Sequence, residues 1–450
     1  MTTEAILKCL RTALAGIAPD AVATPDGRTN LQTAGQLVNL LLARQQLSPR
    51  LQRDRDQRLR LLLGSESGDG DPVTAASRLL SRIIRSGASD GRLVTLAGAL
   101  ALEPQAIQDR TDALGDTRRA GDSSPARGPD EAAVARYLGA HHPEVGAAVR
   151  VEVLPGGYSR ETILVETAGD GPDVVFRKVV NGRDPEWLPS EWNVLRFVAG
   201  RGLRAPQPLW YEDDPSHLGN VFFAVTRMPG TSQAFAIGRT GGVNPGIALD
   251  LARLLARLHR TDTRGLGTTP VLPMTTVEEV RRAIDALSKP ESLLPRPDDP
   301  LFEPLLDWLR ARIPAPPPRP VLVHGDAGFH NILVQGDAVT ALLDWERSHL
   351  GDPAEELAYV RPGLEGVIAW DDFLREYATA GGSVPEAGRL HFYTVWQNVW
   401  RASVCHDFRL RLLRENEPRS PEGISAFIYG PRFTAAAART ALQPDAPPGS

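Results

Sequence analysis

Cysteine is scarce in this chain, with two residues, Cys9 and Cys405, in 450. Two thiols cannot build a disulfide framework or a cysteine-rich metal centre, and they fit a reduced, cytoplasmic setting. Lysine is nearly absent, with three (Lys8, Lys178, Lys289) among 50 basic residues. The arginines that replace it reflect a compositional bias to which no function attaches. A basic surplus is missing as well. The formal net charge is −5, which argues against a dedicated nucleic-acid binder, whose footprint is basic. No apolar run approaches the ~18 residues of a membrane-spanning helix. The opening Met1-Thr-Thr-Glu-Ala carries an early acid and no apolar core, so no secretory leader is expected. What remains is an ordinary globular balance, 42% hydrophobic and 23% charged. The length suits two or three domains at roughly 100–200 residues each.

The first 115 residues read as helices. Thr3–Ile17 and Leu31–Arg44 repeat apolar residues at three- and four-residue spacing, Leu47–Leu63 is arginine-rich and amphipathic, and Asp71-Pro72 reads as an N-cap followed by a first-turn proline. Leu93–Leu102 and Pro104–Leu114 complete the set. Charge over 1–130 is balanced, 17 basic to 15 acidic, and no polar cluster announces chemistry. A helical docking or oligomerisation unit is the expectation. Residues 116–130, rich in Gly, Ser, Pro and charge, read as a linker.

From 149 the period changes to two. Val149–Leu154, Thr162–Glu166 and Val174–Val180 read as strands, the first two separated by Pro155-Gly156-Gly157-Tyr158-Ser159. Helix Leu188–Ala199, strand Val221–Thr226 and the amphipathic helix Pro245–His259 follow, then helices near Thr276–Leu287 and Leu301–Arg312. Short strands are expected at Val321–Val323, Ile332–Val334 and Ala341–Leu343, with mostly helix beyond, up to about Leu442, and a frayed tail from Gln443.

The chemistry concentrates in Val321–Asp344. A strand runs into His324-Gly325-Asp326, Asn331 follows on the same loop, and a hairpin turned at Gly336-Asp337 leads back to Asp344. Two carboxylates and an amide at the ends of adjacent strands are what phosphoryl transfer requires. One carboxylate accepts or orients a hydroxyl proton, while an amide oxygen and a second carboxylate hold the Mg²⁺ that neutralises phosphate charge. His324 reads as a structural hydrogen-bonder. Upstream, Gly156, Gly157 and Ser159 form a turn able to drape backbone N–H groups over phosphates. Arg177 or Lys178, ending a Val-Val-Phe strand, offers the phosphates a cation. Glu191 on the next helix offers that cation a partner.

The pieces LPGGYSRET (154–162), VVFRK (174–178), SEWNVL (190–195), GNVFFAVTRMPG (219–230), LARLLARLH (251–259), VHGDAGFHN (323–331) and LLDWERSHLGDPAEELAYV (342–360) together resemble the aminoglycoside phosphotransferase/choline-kinase superfamily. Within it, the branch of kinase domains fused to acyl-CoA dehydrogenases is the more similar. The resemblance implies an α+β, bilobal protein-kinase-like fold preceded by a small all-α domain. The division is a helical accessory domain at 1–115, a linker at 116–130, a β-rich N-lobe at 131–230 and a helical C-lobe at 231–442. It implies Asp326 as catalytic base, Asn331 and Asp344 as Mg²⁺ ligands, and adenine contacts from backbone groups of Thr226 and Met228. It also implies that Asp352-Pro353 orients the catalytic loop. Counting back from the Val-Val-Phe run puts Arg177 where the family often carries lysine, with Lys178 the competing choice. Glu356 stands where Asp is usual.

The activity so implied is transfer of the ATP γ-phosphate to a hydroxyl of a small organic substrate, such as a hydroxy acid or hydroxyacyl-CoA, without nucleic acid or membrane. Antibiotic O-phosphorylation is the alternative. A catalytically inactive nucleotide-binding module is disfavoured because Asp326, Asn331 and Asp344 are all present. From Arg361 on, ten basic residues balance ten acidic ones, so a polycation finds no acidic surplus. The helix Leu390–Leu413 carries Phe392, Tyr393, Trp396, Trp400 and Phe408 with Arg401, Arg409 and Arg411. Such a wall suits an apolar or anionic acceptor, unless its aromatics are simply helical core. Asp371, Asp372 and Glu376 are the acids an antibiotic pocket would recruit.

Overall fold

The computed structural model describes Leu41 and residues 49–67, 70–86, 95–100, 131–154, 160–168, 173–180, 186–232, 244–288, 299–415 and 421–442. The expected helices Thr3–Ile17 and Pro104–Leu114, most of Leu31–Arg44, the 116–130 linker, the 155–159 turn and the tail lie outside the described residues. The first elements are α1 (Pro72–Ser86), α2 (Glu131–His141), β1 (Ala148–Leu154), β2 (Arg160–Thr167), β3 (Val174–Val179) and α3 (Leu188–Gly200). Next come β4 (Pro208–Glu212), β5 (Phe222–Thr226), β6 (Thr231–Ser232), α4 (Pro245–Arg260), α5 (Val277–Ser288) and α6 (Phe302–Ala311). The chain continues with β7 (Val321–Val323), β8 (Ile332–Gln335), β9 (Ala338–Leu342), β10 (His349–Gly351), α7 (Pro353–Leu364), α8 (Trp370–Thr379), α9 (Ala387–Glu415) and α10 (Pro421–Leu442).

Packing groups the chain into two units. One gathers Met1–Ser123, Thr276–Ala315 and Glu386–Ser450, and the other holds Ser124–Thr275 and Pro316–Pro385. This partition differs from the division at 115, 230 and 442. Segments 276–315 and 386–442 join the N-terminal region, because α6 packs against α1, α5, α9 and α10. Its buried Leu305, Leu306 and Leu309, and Leu79, Leu80 and Ile83 of α1, supply the apolar faces. Burying each such side chain stabilises by about 1.5–3 kcal/mol.

In this first unit three of the five α9 aromatics are core, while Trp400 and Phe408 are half-buried. Phe392, Tyr393 and Trp396 are buried. Trp308 stacks on Phe392 at 6.4 Å, and Phe392 meets Tyr393 edge-on at 5.1 Å. Arg401 lies 5.7 Å over the Phe433 ring of α10.

In the second unit the strands form an antiparallel sheet of five in the order β1-β2-β3-β5-β4. Alternation along each strand gives the sheet two characters. On one face Ile163, Val165, Val174, Phe176, Phe222 and Ala224 pack against Val134, Tyr137 and Leu138 of α2. Tyr137 donates to Glu212 at 2.9 Å and accepts from Trp210 at 3.0 Å, which satisfies its buried hydroxyl. The opposite face carries Thr162, paired across strands with Arg177, which pairs with Phe223. Phe223 meets Trp192 of α3 at 5.6 Å.

Beyond it lie a three-stranded sheet, β6-β8-β9, and the pair β10-β7. The β8–β9 hairpin turns at Gly336-Asp337, as the sequence predicts, with Gln335 opposite Ala338. α4 begins where Asn244 accepts the Ile247 N–H at 3.0 Å and Pro245 supplies a preset φ. Asp250 of α4 accepts the Val339 N–H at 2.8 Å and an Arg204 guanidinium N–H, which ties the helix to β9. Among the described residues no helix is long and apolar enough to cross a membrane.

Candidate active site

β7, wholly buried, delivers the chain into His324-Gly325-Asp326. Gly325 turns there at φ +79°, and a Cβ on it would stand 2.6 Å from Arg347 O, so only glycine fits. His324 acts as a brace. Its Nδ1 accepts the Asp326 N–H at 3.2 Å, and its Nε2 donates to Leu343 O at 2.8 Å. Burial pushes its imidazole down to about 4, and the neutral ring in one tautomer satisfies both bonds.

Glu356 of α7 reaches the same turn. Its Oε2 accepts from His324 N at 2.5 Å and from Gly325 N at 3.3 Å. Asp352, expected to orient the loop, accepts the Ala354 N–H at 2.9 Å as the cap of α7. The backbone of the loop is held by Glu356, whose longer side chain spans from the first turn of the helix. Burial raises the Glu356 carboxyl to about 7 against the pull of those N–H groups.

Asp326 is surrounded by donors. Its Oδ2 accepts Asn331 Nδ2 at 2.9 Å, and its carbonyl accepts the same nitrogen at 3.0 Å. Its Oδ1 accepts the Tyr359 hydroxyl and lies 3.2 Å from His330 Nε2. Desolvation opposes the charge, but His330 and Tyr359 outweigh it and hold the carboxyl down at about 2. Asn331 O accepts the Leu343 N–H at 2.8 Å, which brings the start of β8 beside the approach to Asp344.

β9 ends at Leu342, and Asp344 stands past it in the left-handed region at φ 64°. Asp tolerates that conformation better than most residues. Its Oδ1 lies 3.2 Å from Arg177 Nη2, and Arg177 Nη1 donates to Thr162 Oγ1 at 2.7 Å. Burial opposes the Arg177 charge, yet Asp344, Glu191 and Glu346 raise its pKa further.

Lys178 goes to the other face of the sheet, as the period of two requires. Its Nζ lies 2.7 Å from Glu161 and donates to Leu218 O at 3.3 Å. Arg177, not Lys178, is therefore the base that shares a site with Asp344.

Glu191 has a close partner that sequence reasoning missed. Arg160 Nε lies 3.4 Å from its Oε2, both side chains being buried. Desolvation raises the Glu191 carboxyl, and Arg177 is the strongest charge opposing that rise. Glu191 thus stands between two guanidiniums. Arg160 opens β2 directly after the 155–159 turn and pairs with Val179 of β3, a placement that only the strand register reveals.

Thr226 ends β5, its N–H bound to Gln207 O at 2.9 Å and its Oγ1 3.0 Å from Gln207 N; Met228 follows two residues on. Gly156, Gly157 and Ser159 lie outside the described residues. Two of the three acids of α8 are engaged. Glu376 accepts from Arg253 Nε at 2.5 Å and Asp372 from Arg375 at 2.6 Å.

A family model described as "APH: Phosphotransferase enzyme family" matches residues 150–393. Acyl-CoA dehydrogenase family member 11 of Gallus gallus is 29% identical over 247 residues, 51% of this chain and 30% of that protein. The chain thus spans about a third of the length of such curated relatives. Viomycin phosphotransferase of Streptomyces vinaceus is 28% identical over 186 residues, 38% of this chain and 61% of the other. Among solved structures, a Ralstonia eutropha protein described as an aminoglycoside phosphotransferase aligns with TM-score 0.54 at 20% identity, over 70% of this chain and 98% of its own. That likeness carries the protein-kinase-like fold.

Proposed function

Because the chain belongs to the phosphotransferase enzyme family matched over residues 150–393, we propose that it transfers the γ-phosphoryl group of ATP to a hydroxyl of a small organic acceptor. The observation that supports this most directly is the convergence of Asp326, Asn331, Asp344 and Arg177 through bonds of 2.9 Å between the first two and 3.2 Å between the last two. In this reading residues 131–230 hold the nucleotide, with backbone groups of Thr226 and Met228 toward the adenine and the 155–159 turn over the phosphates. Asp326 takes the acceptor proton. Arg177 exchanges its contact with Asp344 for the phosphates, and Arg160 and Glu191 hold the surrounding charge. The loose transition state of phosphoryl transfer asks for positioning and charge stabilisation more than for covalent chemistry.

The donor set suits Mg²⁺. Asp344 Oδ1 is buried and faced by the Arg177 guanidinium at 3.2 Å, a contact that a cation could replace. Asn331 spends its Nδ2 on Asp326, which leaves its amide oxygen as the atom to offer a cation. Mg²⁺ takes only one or two protein oxygens, with water and phosphate completing its shell, so Asn331 and Asp344 would suffice to hold it. Bound there, it would neutralise phosphate charge.

For the acceptor we favour a hydroxy acid or a hydroxyacyl thioester. The matched relatives carry this segment in proteins named as acyl-CoA dehydrogenase family members. Of Asp371, Asp372 and Glu376, the acids a polycation would recruit, Glu376 and Asp372 are occupied by Arg253 and Arg375. Phe392, Tyr393 and Trp396 of α9 give no support to either acceptor, since they are core. Phosphorylation of an antibiotic is the second reading, and the match to viomycin phosphotransferase favours it. ADP release measured with hydroxy acids, hydroxyacyl-CoA thioesters and cationic antibiotics decides between them. A kcat/KM for any cationic antibiotic above that of every hydroxyacyl compound overturns the preference.

A further inference from the structure

We propose that Tyr359 and His330 select which oxygen of Asp326 receives the acceptor's proton. The inference rests on the reading of Asp326 as the general base. An ionised carboxylate offers about four lone-pair positions, two on each oxygen. At Asp326 three donors stand against them. Oδ1 meets the Tyr359 hydroxyl and His330 Nε2, the latter at 3.2 Å, while Oδ2 meets Asn331 Nδ2 at 2.9 Å. Among the described residues these donors saturate Oδ1, and the one position left belongs to Oδ2.

The donors arrive from separate elements, Tyr359 from α7 and His330 from the catalytic loop itself. The loop is shaped to let the imidazole lie there. A Cβ on Gly328 would stand 2.5 Å from His330 Cε1, 2.6 Å from its Nδ1 and 3.5 Å from Tyr359 Cε1. The missing Cβ is the space the ring uses. A loop needing only to connect β7 to β8 has no use for this arrangement.

In the step that follows, the acceptor O–H bond breaks and its proton passes to Oδ2. The acceptor oxygen forms the new bond to the γ-phosphorus. The bond from phosphorus to the bridging oxygen breaks, and its electron pair leaves with ADP. With Oδ1 held, the carboxylate is fixed about its own axis, and Oδ2 meets the hydroxyl in a single orientation. Tyr359 and His330 are positioning residues; neither touches the acceptor.

The test uses the full chain and ADP release from ATP with water as acceptor, a probe that needs no identified substrate, repeated with the best acceptor from the screen above. Tyr359→Phe and His330→Ala should each lower kcat about tenfold, short of the 10²–10⁴ supplied by a general base, and leave KM for ATP unchanged. His330→Gln, which keeps an N–H donor, should recover most of the loss. Gly328→Ala should match His330→Ala by displacing the ring. Asp326→Asn is the reference. If it is inactive while Tyr359→Phe and His330→Ala stay within twofold of wild type, this inference fails alone. Full activity in Asp326→Asn overturns the base itself and the inference with it. Should His330→Ala fail to fold, Tyr359→Phe, which removes one oxygen, carries the test.

Discussion

Asp326 carries the proposed proton transfer alone, so Asp326→Ala should lower kcat by about 10²–10⁴ while ATP binding by calorimetry stays intact. Arg177 and Lys178 separate two further outcomes. Arg177→Met should raise KM for ATP at least about tenfold, the loss of one charge-assisted contact. Lys178→Met should leave KM unchanged and lower Tm, since Lys178 answers Glu161 on the core face. The sequence showed both cations but not the choice, because two adjacent strand residues differ only in which face they serve, and register decides that. Glu356 was read as a mild departure from Asp and proved to hold the loop backbone. Its carboxyl, ordinarily near 4.5, sits at about 7 through burial. Between those values the unfolded chain has released the proton and the native state keeps it. The contribution of this group to stability therefore falls as pH rises from 4.5 to 7 and is fully lost above 7. Tm measured at pH 5.5 and 8 should show this fall in the wild type, and Glu356→Gln should flatten it.

Strands and helices with a strong period were legible: β1, β3, α3, α4 and the β8–β9 hairpin stand within a few residues of their expected bounds. The missed strands have physical excuses. β4 opens on Pro208 at the sheet edge, where a missing N–H is tolerated and no alternation shows. β6 and β10 exist only through partners far off in sequence, β8 and β7. The same limit hid Tyr359 and Arg160 from the site, since each matters through a residue on another element. In α9 the helical period announced buried aromatics but not what they bury against. Trp396→Ala should cost about 3–5 kcal/mol of stability, read by denaturant unfolding, and leave KM for ATP unchanged. A raised KM with normal stability would return that aromatic face to the binding site.

At the scale of the whole chain, α1 belongs with α6, and Arg85 lies 3.4 Å from Asp307 between them. The composition of residues 116–130 had suggested a clean cut. A chain starting at Gly128 should instead lose several degrees of Tm and bind a hydrophobic dye, because the α6 face that α1 covers is opened to water. An unchanged melting curve would show the helices to be separable. The division has a further consequence for synthesis. The unit carrying Asp326 is complete once residue 385 has left the ribosome, whereas the other draws on segments from both ends of the chain. As domains fold while they emerge, the catalytic unit closes first. α1, made before the catalytic unit, waits with its apolar face uncovered until α6 appears and is enclosed last by α9 and α10. Translation speed and holding chaperones should therefore bear on the yield of this protein through α1, not through its active site.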